Sequence, residues 1–401
     1  MTAVNDAEEF VHSLCRRSFL SVWSIENPVG AKQGKELADV VVVVGDDVLL
    51  VSVKDRKITP SGDAETDAGR WYRYAVEGSV KQLRGANRAL HRMSAVERRD
   101  NPEVQLPLPP PARRRVHFIA VALGGEDLVP AVPEQHDFGI VHVFDGVTFE
   151  VLLHELDTIT DVVAYLRAKE EFLSRANVVL EDSERDLLAV YLREGRTFPK
   201  DLNGLYLTSG LWDQLVAEDA FQRRKDADKV SYVWDQLIEE FAGHLRGGTL
   251  LGDAPPPQVE FGLRYMVRES RFHRRFLGEA FVTFMQKAAE NKTRSRVVPS
   301  PSDVVYLFMA VSRQEGQEIR EARLSMCCAM LREQHPEAVA VVGVLTERPD
   351  GDWRHSFMLG LVDGPVTDEI REEAEEGRRC GLLKTQVPLR KTFQEYPGGG
   401  E

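Results

Sequence analysis

Residues 34–57 read GKELADVVVVVGDDVLLVSVKDRK, and this stretch decides the fold of the N-terminal part of the chain. It contains two runs of mostly β-branched and aliphatic residues, Ala38–Val44 and Val48–Val53. Such runs predict strands, because these side chains fit a pleated and buried surface. The Gly45-Asp46-Asp47 segment between the runs predicts a tight turn. We therefore expect the two strands to form a hairpin.

An acid and a base lie at the open end of this predicted hairpin. Asp39 starts the first strand and Lys54 ends the second. Because side chains alternate between the faces of a strand, Ser52 and Lys54 share one face, and the turn brings Asp39 close to them. A surface salt bridge that marks the end of the core is the alternative explanation, since exposed ion pairs are common and contribute little to stability.

Length and composition limit the possible classes of protein. The 401 residues predict two or three domains, and no apolar run approaches the roughly 18 residues of a membrane span. The N-terminus also lacks the pattern of a secretory signal. None of the four cysteines forms a Cys-x-x-Cys pair, so we predict neither zinc nor a disulfide framework and expect a reducing cytoplasm.

The charge pattern leaves nucleic-acid binding open. The formal net charge of −13 does not favour it, because nucleic-acid-binding proteins usually carry a basic footprint. Basic residues nevertheless cluster at Arg84–Arg92, at Arg113–Arg115 and at Arg264–Arg275. Each cluster is either a binding surface or an ordinary solvated helix face or loop. The histidines near residues 136–154 have spacings that match no known ligand pattern, so they predict no metal site.

The hydrophobic patterns predict an α/β protein with three regions. Residues 1–175 contain the hairpin, helices at Ala7–Leu20 and Trp71–Met93, and further strands, which together predict a mixed sheet flanked by helices. The further strands are expected at Val116–Leu123, at Ile140–Phe144 and at Phe149–Leu153.

The rest of the chain divides into two predicted regions. Residues 176–295 have mostly helical patterns. Residues 296–401 contain a strand at Val304–Val311, a helix at Gln317–Gln334 and a strand at Val339–Leu345, which predict a smaller α/β region.

The N-terminal region resembles a known family. A helix with Glu8, a strand with Asp39, a strand that ends at Lys54 and a helix with Gln82 follow in the order found in the PD-(D/E)XK nuclease superfamily. The likeness is to its NERD-like and restriction-endonuclease-like branches and covers roughly residues 6–173. It is carried by the hairpin and by the segments RWYRYAVEGSVKQLRGANRAL and FDGVTFEVLLHELDTITDVVAYL.

The resemblance implies a role for each matching residue. Asp39 would be the main ligand of a Mg²⁺ or Mn²⁺ ion, together with Glu8 and the carbonyl oxygen of Val53. Lys54 would be the catalytic lysine, and Gln82 would contact the site or the scissile phosphate. The implied reaction is hydrolysis of a phosphodiester in nucleic acid, most simply DNA, in prokaryotic defence or DNA processing.

One residue departs from the family pattern. Ser52 occupies the D/E position of the D/E-x-K element, and a hydroxyl is a poor magnesium ligand beside a carboxylate. Glu36 is the best candidate for a substitute carboxylate. The alternative is a degenerate nuclease fold that only binds nucleic acid or protein. For partners we therefore expect nucleic acid, no membrane, and a second copy or another protein at residues 176–401.

Overall fold

The computed structural model describes residues 6–30, 36–98, 105–125, 132–181, 184–202, 204–247, 256–312, 314–347, 356–383 and 395–396. The chain divides into two compact units, Met1–Gln222 and Arg223–Glu401. The sequence places boundaries near residues 175 and 295 instead. The mixed α/β class predicted from the sequence is confirmed in both units.

The first unit contains a six-stranded sheet with helices on it. Its helices are α1 Asp6–Phe19, α2 Ala64–Tyr72, α3 Gly78–Leu90, α4 Gly146–Glu155, α5 Ile159–Arg175, α6 Glu184–Arg193 and α7 Leu211–Val216. Its strands are β1 Ser24–Glu26, β2 Val40–Val44, β3 Asp47–Asp55, β4 Ala95–Glu97, β5 Gln105–Pro107, β6 Arg115–Leu123, β7 Glu134–His136, β8 Gly139–Phe144, β9 Asn177–Leu180 and β10 Gly204–Leu207.

The strand order in the main sheet is β1-β2-β3-β6-β8-β7. Strands β1, β2 and β3 are antiparallel, β3, β6 and β8 run parallel, and β7 returns antiparallel at the edge. The predicted hairpin is confirmed, with Val44 paired to Asp47 across a turn in which Gly45 has a φ of +57°. Every residue of β2 is buried, so both faces of this strand are covered, which explains the uninterrupted Val40–Val44 run.

One nearly continuous helical rod follows β3 and precedes β4, β5 and β6 in the chain. Helices α2 and α3 are joined by a π-helical turn, Arg73–Glu77, and α3 packs on β3. Asp63 caps the rod by accepting a hydrogen bond from the backbone N–H of Glu65. The rod is therefore fixed against the strand that carries Ser52 and Lys54.

The strand predicted at Phe149–Leu153 is wrong. These residues belong to α4, because the carboxylate of Asp145 accepts a hydrogen bond from the backbone N–H of Thr148 and starts a helix there. Its apolar residues pack into the core from a helix, and a short apolar run fits either element.

The second unit contains a four-stranded sheet in the order β11-β12-β13-β14. Helix α8 Asp219–Asp228 spans the boundary between the units, and the unit continues with α9 Tyr232–Gly247, α10 Pro256–Val267, α11 Arg271–Ala289, β11 Ser295–Pro299, β12 Val304–Val311, α12 Gln317–Gln334, β13 Ala340–Glu347, β14 Phe357–Asp363 and α13 Asp368–Arg379. The predicted β-α-β unit is confirmed, since β12 and β13 pair in parallel and α12 connects them.

Glycines let α12 lie close to this sheet. A Cβ at Gly343 would lie 2.6 Å from the sulfur of Cys328 and 2.6 Å from a methyl group of Leu324, both on α12. The glycine in β13 therefore serves close packing of a helix on the strand. Across the described ranges, no helix combines the length and apolar composition needed to cross a membrane.

Candidate functional site

The open end of the β2–β3 hairpin holds the predicted acid. Val40 pairs with Val51, so Asp39 lies one step beyond the last strand pair, where its backbone N–H donates to the carbonyl of Val51 at 3.1 Å. Its side chain reaches across to β3, and Oδ2 accepts the backbone N–H of Val53 at 2.6 Å. Asp39 is consequently buried and fixed by both strands.

Helix α3 completes a hydrogen-bonded network around Gln82. Lys54 Nζ donates to Gln82 Oε1 at 2.6 Å, and Ser52 Oγ donates to the same oxygen at 3.0 Å. Because a lysine can only donate, the amide oxygen must face Lys54, and the amide nitrogen donates to Asp39 Oδ1 at 3.2 Å. Four residues singled out from the sequence thus meet in one network, to which Ser79 adds a contact with Ser52 at 3.3 Å.

The network is more than a surface salt bridge. Lys54 Nζ lies 4.0 Å from Asp39 Oδ2, but the shorter contacts run through Gln82. Ser52 is fully buried and Asp39 is nearly so, whereas Lys54 and Gln82 are partly exposed. The site therefore contains one carboxylate and one ammonium group, which balance each other's charge.

Two further residues near this network were not predicted from the sequence. Buried His12 on α1 places Nε2 3.2 Å from the carbonyl oxygen of Asp39 and Nδ1 3.5 Å from Glu26. Ser79 lies on α3 one turn before Gln82. The available signal was helical spacing, since His12 follows Glu8 by four residues and Ser79 precedes Gln82 by three.

The carboxylates predicted as metal ligands are not gathered at one point among the described residues. Glu8 is half-buried in the first turn of α1, and Glu36 lines a cavity that Gln82 also lines. Within the described part of the chain, no group of three or more His, Cys, Asp or Glu side chains is positioned to hold a metal ion. Glu8, Glu36 and Asp39 therefore do not form such a group, and Ser52 adds no carboxylate.

Two of the three basic clusters serve the fold. Arg271, Arg274 and Arg275 are buried, and they form ion pairs with Asp235 and Asp228. These buried arginines neutralise acids inside the second unit, so they do not form a basic surface.

The cluster at residues 113–115 is also engaged in local contacts. Arg114 donates to backbone carbonyls, including that of Leu90 at 2.5 Å, and Arg115 Nε lies 3.2 Å from Asp47 Oδ1. These arginines hold the start of β6 against neighbouring segments.

The third cluster forms an exposed stripe on α3 and just beyond it, next to Gln82. This α3 stripe consists of Lys81, Arg84, Arg88 and Arg92, which recur every three or four residues and so share one helix face. Residues 78–92 contain these four basic residues and no acid. Arg84 pairs with Asp137 at 2.9 Å, whereas Lys81, Arg88 and Arg92 have no ion pair within the described ranges.

A cavity connects the α3 stripe to the network. Its volume is about 580 Å³, and Lys81, Gln82, Arg88, Arg92 and Glu36 contribute to its lining. Three basic side chains and one acidic side chain make this cavity favourable for an anion. Gln82 takes part in both the cavity wall and the network, so a bound anion would lie beside Lys54.

A separate charged network lies at the other end of β3. Asp47 Oδ1 lies 3.0 Å from His117 Nε2, and Glu170 Oε1 lies 3.1 Å from His117 Nδ1 and 3.0 Å from His142 Nε2. Burial alone would raise the pKa of Asp47, but the bonds from His117 and Arg167 outweigh it and lower the pKa.

The pKa values of the two histidines in this second network are shifted in opposite directions. Burial and the nearby charge of Lys169 lower the pKa of His142 to about 4. Burial also opposes the charged form of His117, yet its bonds to Asp47 and Glu170 prevail and raise its pKa. This network shares no residue with the Asp39 site.

Comparison with known proteins gives no independent assignment. No protein-family model, no curated protein and no solved structure matches this chain.

Proposed function

We propose that the first unit binds nucleic acid along the α3 stripe, with a nuclease-like but charge-balanced centre beside it. The observation that carries this proposal is the position of Gln82. Its amide joins Asp39, Ser52 and Lys54, and its helix carries the only exposed basic stripe found among the three clusters named above. Phosphate groups that bind the stripe would therefore pass directly over the network.

The arrangement of elements supports a PD-(D/E)XK-like interpretation. A helix, three antiparallel strands, a helical rod, the short strands β4 and β5 and a parallel strand follow one another, and the rod packs on the strand that carries Lys54. This order agrees with the resemblance in the sequence. Since a fold can host many functions, the proposal rests on the site and not on the fold.

Hydrolysis of a phosphodiester with Mg²⁺ or Mn²⁺ is the second candidate. It is favoured by the contact between Lys54 and Gln82 next to Asp39, because the resemblance assigns catalytic roles to these residues. The single carboxylate argues against it, although magnesium is often bound by one or two carboxylates plus substrate oxygens. For this reason binding without cleavage is the function that the geometry supports best.

Salt-dependent binding tests the first proposal. Fluorescence anisotropy with labelled single-stranded and duplex DNA and RNA gives the affinity at several salt concentrations. In the Lys81→Gln/Arg88→Gln variant, the slope of log K against log salt should fall by about 1.4 to 1.8, because two phosphate contacts are lost. The matched control is Arg17→Gln/Lys200→Gln, two exposed residues without ion pairs in the described ranges, which should keep the slope. Equal slopes in both variants, or no binding by the wild type, would refute the proposal.

Cleavage assays separate the two candidates. Plasmid and labelled RNA are incubated with the wild-type protein and Mn²⁺, with Asp39→Ala and Lys54→Ala variants in parallel. We expect binding without cleavage. Cleavage that disappears in both variants would establish the second candidate in its place.

Cellular setting and further partners belong to the same proposal. All four cysteines are free thiols, which supports a reducing cytoplasm. A second copy or another protein would bind at residues 176–401, and size-exclusion chromatography with light scattering measures the oligomeric state.

A further inference from the structure

A second cavity lies where β3 leads into the loop before α2. It has a volume of about 490 Å³, within the usual range for small-ligand sites. We call it the Arg56 pocket, and its lining consists of Arg56, Lys57, Ile58, Thr59, Arg70, Arg73 and Tyr74. Four of these seven residues are basic and none is acidic, so the lining favours an anion.

The walls of the Arg56 pocket are attached to the sheet. The backbone N–H of Arg56 donates to the carbonyl of Leu123 at 3.1 Å, and the indole N–H of Trp71 donates to the same oxygen at 3.1 Å. Trp71 also packs directly on Gly125, where a Cβ would lie 2.3 Å from the indole ring. Both the loop and the helix that line the pocket are thus held at the end of β6.

The basic groups of the pocket are largely uncompensated. Arg70 lies 3.7 Å from Asp67, but Arg56, Lys57 and Arg73 have no ion pair within the described ranges. The Nε of Arg73 donates to the carbonyl of Gly69 at 3.1 Å, which orients the guanidinium group. Three cations without a carboxylate partner therefore surround one recess.

An aromatic side chain adjoins these cations. Tyr74 is 48% exposed, and the guanidinium carbon of Arg56 lies 4.9 Å from the centre of its ring. An exposed ring beside arginines is the arrangement on which nucleobases stack in single-stranded nucleic-acid sites. The pocket thus offers a surface for a base next to a site for its phosphate.

We propose that the Arg56 pocket binds the terminal phosphate of a nucleic-acid strand, with the terminal base stacked on Tyr74. A terminal phosphomonoester carries a charge of about −1.5 to −2 at pH 7, more than the single charge of an internal phosphodiester, so a recess with three unpaired cations prefers the end of a strand. This inference rests on the nucleic-acid binding proposed above and adds a preference for strand ends to it.

Oligonucleotides with and without terminal phosphates test the inference. Competition anisotropy compares one single-stranded sequence with a 5′-phosphate, with a 3′-phosphate and with two hydroxyl ends. We expect one phosphorylated form to bind about tenfold more tightly than the hydroxyl form, which corresponds to about 1.4 kcal/mol.

Variants distinguish the pocket from general charge effects. Arg73→Gln should abolish the preference for the phosphorylated end, measured as the ratio of the affinities for the phosphorylated and the hydroxyl forms. Tyr74→Ala should weaken both forms, because stacking of the terminal base is lost. Lys200→Gln is the control and should keep the preference. Thermal unfolding of each variant verifies that the fold is intact.

The possible results separate this inference from the proposed function. Equal affinity for all three ends overturns the inference while nucleic-acid binding stands. If no oligonucleotide binds, the proposed function fails, and titration with a nucleoside monophosphate then decides on the pocket alone. Binding of that nucleotide to the wild type but not to Arg73→Gln supports the pocket, and absence of binding overturns it.

Discussion

Acidification should destabilise the first unit through His142. This side chain is fully buried on β8, where it contacts Glu170 and lies near the charges of Lys169 and His117. Burial is the largest cause that lowers its pKa to about 4, and the charge of Lys169 acts in the same direction. The folded protein therefore keeps His142 neutral at a pH where an unfolded chain already protonates it.

The size of the effect follows from the two pKa values. A histidine in the unfolded chain takes up its proton near pH 6.5, and His142 in the folded protein does so near pH 4. Between these values the unfolded state binds more protons, so the free energy of unfolding falls as the pH falls. The difference between the two pKa values corresponds to about 3 kcal/mol of unfolding free energy, at about 1.4 kcal/mol per pH unit.

The neighbouring His117 and Glu170 affect stability in other ranges of pH. The pKa of His117 is raised, so its contribution is complete below pH 6.5 and is lost only as the pH rises through the higher folded value. Although burial opposes ionisation of Glu170, its bonds to both histidines lower its pKa to about 2, and its contribution is lost at still lower pH than that of His142. The range from pH 6.5 to 4.5 therefore reports mainly on His142.

Unfolding in urea at pH 7 and at pH 4.5 measures the effect. Hydrogen exchange of peptides from β6 and β8 restricts the readout to the first unit. Between pH 7 and pH 4.5, the free energy of unfolding should fall by about 2 to 3 kcal/mol more in the wild type than in His142→Gln, whose side chain cannot be protonated in this range. His154→Gln is the control, because His154 is half-exposed and pairs with Glu150 on its own helix. Equal losses in the wild type and His142→Gln would refute the reasoning.

Three further substitutions test packing and charge balance. Glu184→Ala removes the 2.5 Å partner of fully buried Lys169 and should cost about 3 to 5 kcal/mol in thermal or urea unfolding, whereas Glu184→Leu with Lys169→Met should restore most of it. Gly125→Ala forces a methyl group against Trp71 and should cost about 1 to 3 kcal/mol; an unchanged melting temperature would contradict this close contact. Ser52→Asp should destabilise the metal-free protein and increase its affinity for Mn²⁺ in calorimetric titration. A Mn²⁺ affinity equal to that of the wild type would contradict the assignment of position 52 to the D/E of the D/E-x-K element.

The hairpin could be predicted because its signals are local. Runs of valine and leucine indicated both strands, and the Gly45 turn determined the register that brings Asp39 to Ser52. Strand parity then put Ser52 and Lys54 on one face, and their shared partner Gln82 confirms that orientation. The β-α-β unit of the C-terminal part was predictable for the same reason.

Other features depend on contacts that sequence spacing does not contain. The cluster at residues 264–275 has the composition of a basic surface. Its arginines are instead buried in ion pairs with acids distant in the sequence, such as Asp235. His142 meets Glu170 only because β8 and α5 pack together, 28 residues apart in the chain. Phe149–Leu153 is apolar enough for a strand, and the nearby cap at Asp145 determines the helix instead.

At the centre of the site, the hydroxyl of Ser52 and the amide of Gln82 are complementary hydrogen-bonding groups. The hydroxyl of Ser52 donates to the amide oxygen of Gln82, which keeps the amide nitrogen on Asp39. A carboxylate at position 52 could only accept, so it would repel that oxygen and leave two buried acids facing one lysine. A divalent cation would compensate such a pair of acids, whereas the serine makes the network neutral without one. This charge balance is the reason for proposing binding without cleavage at this site.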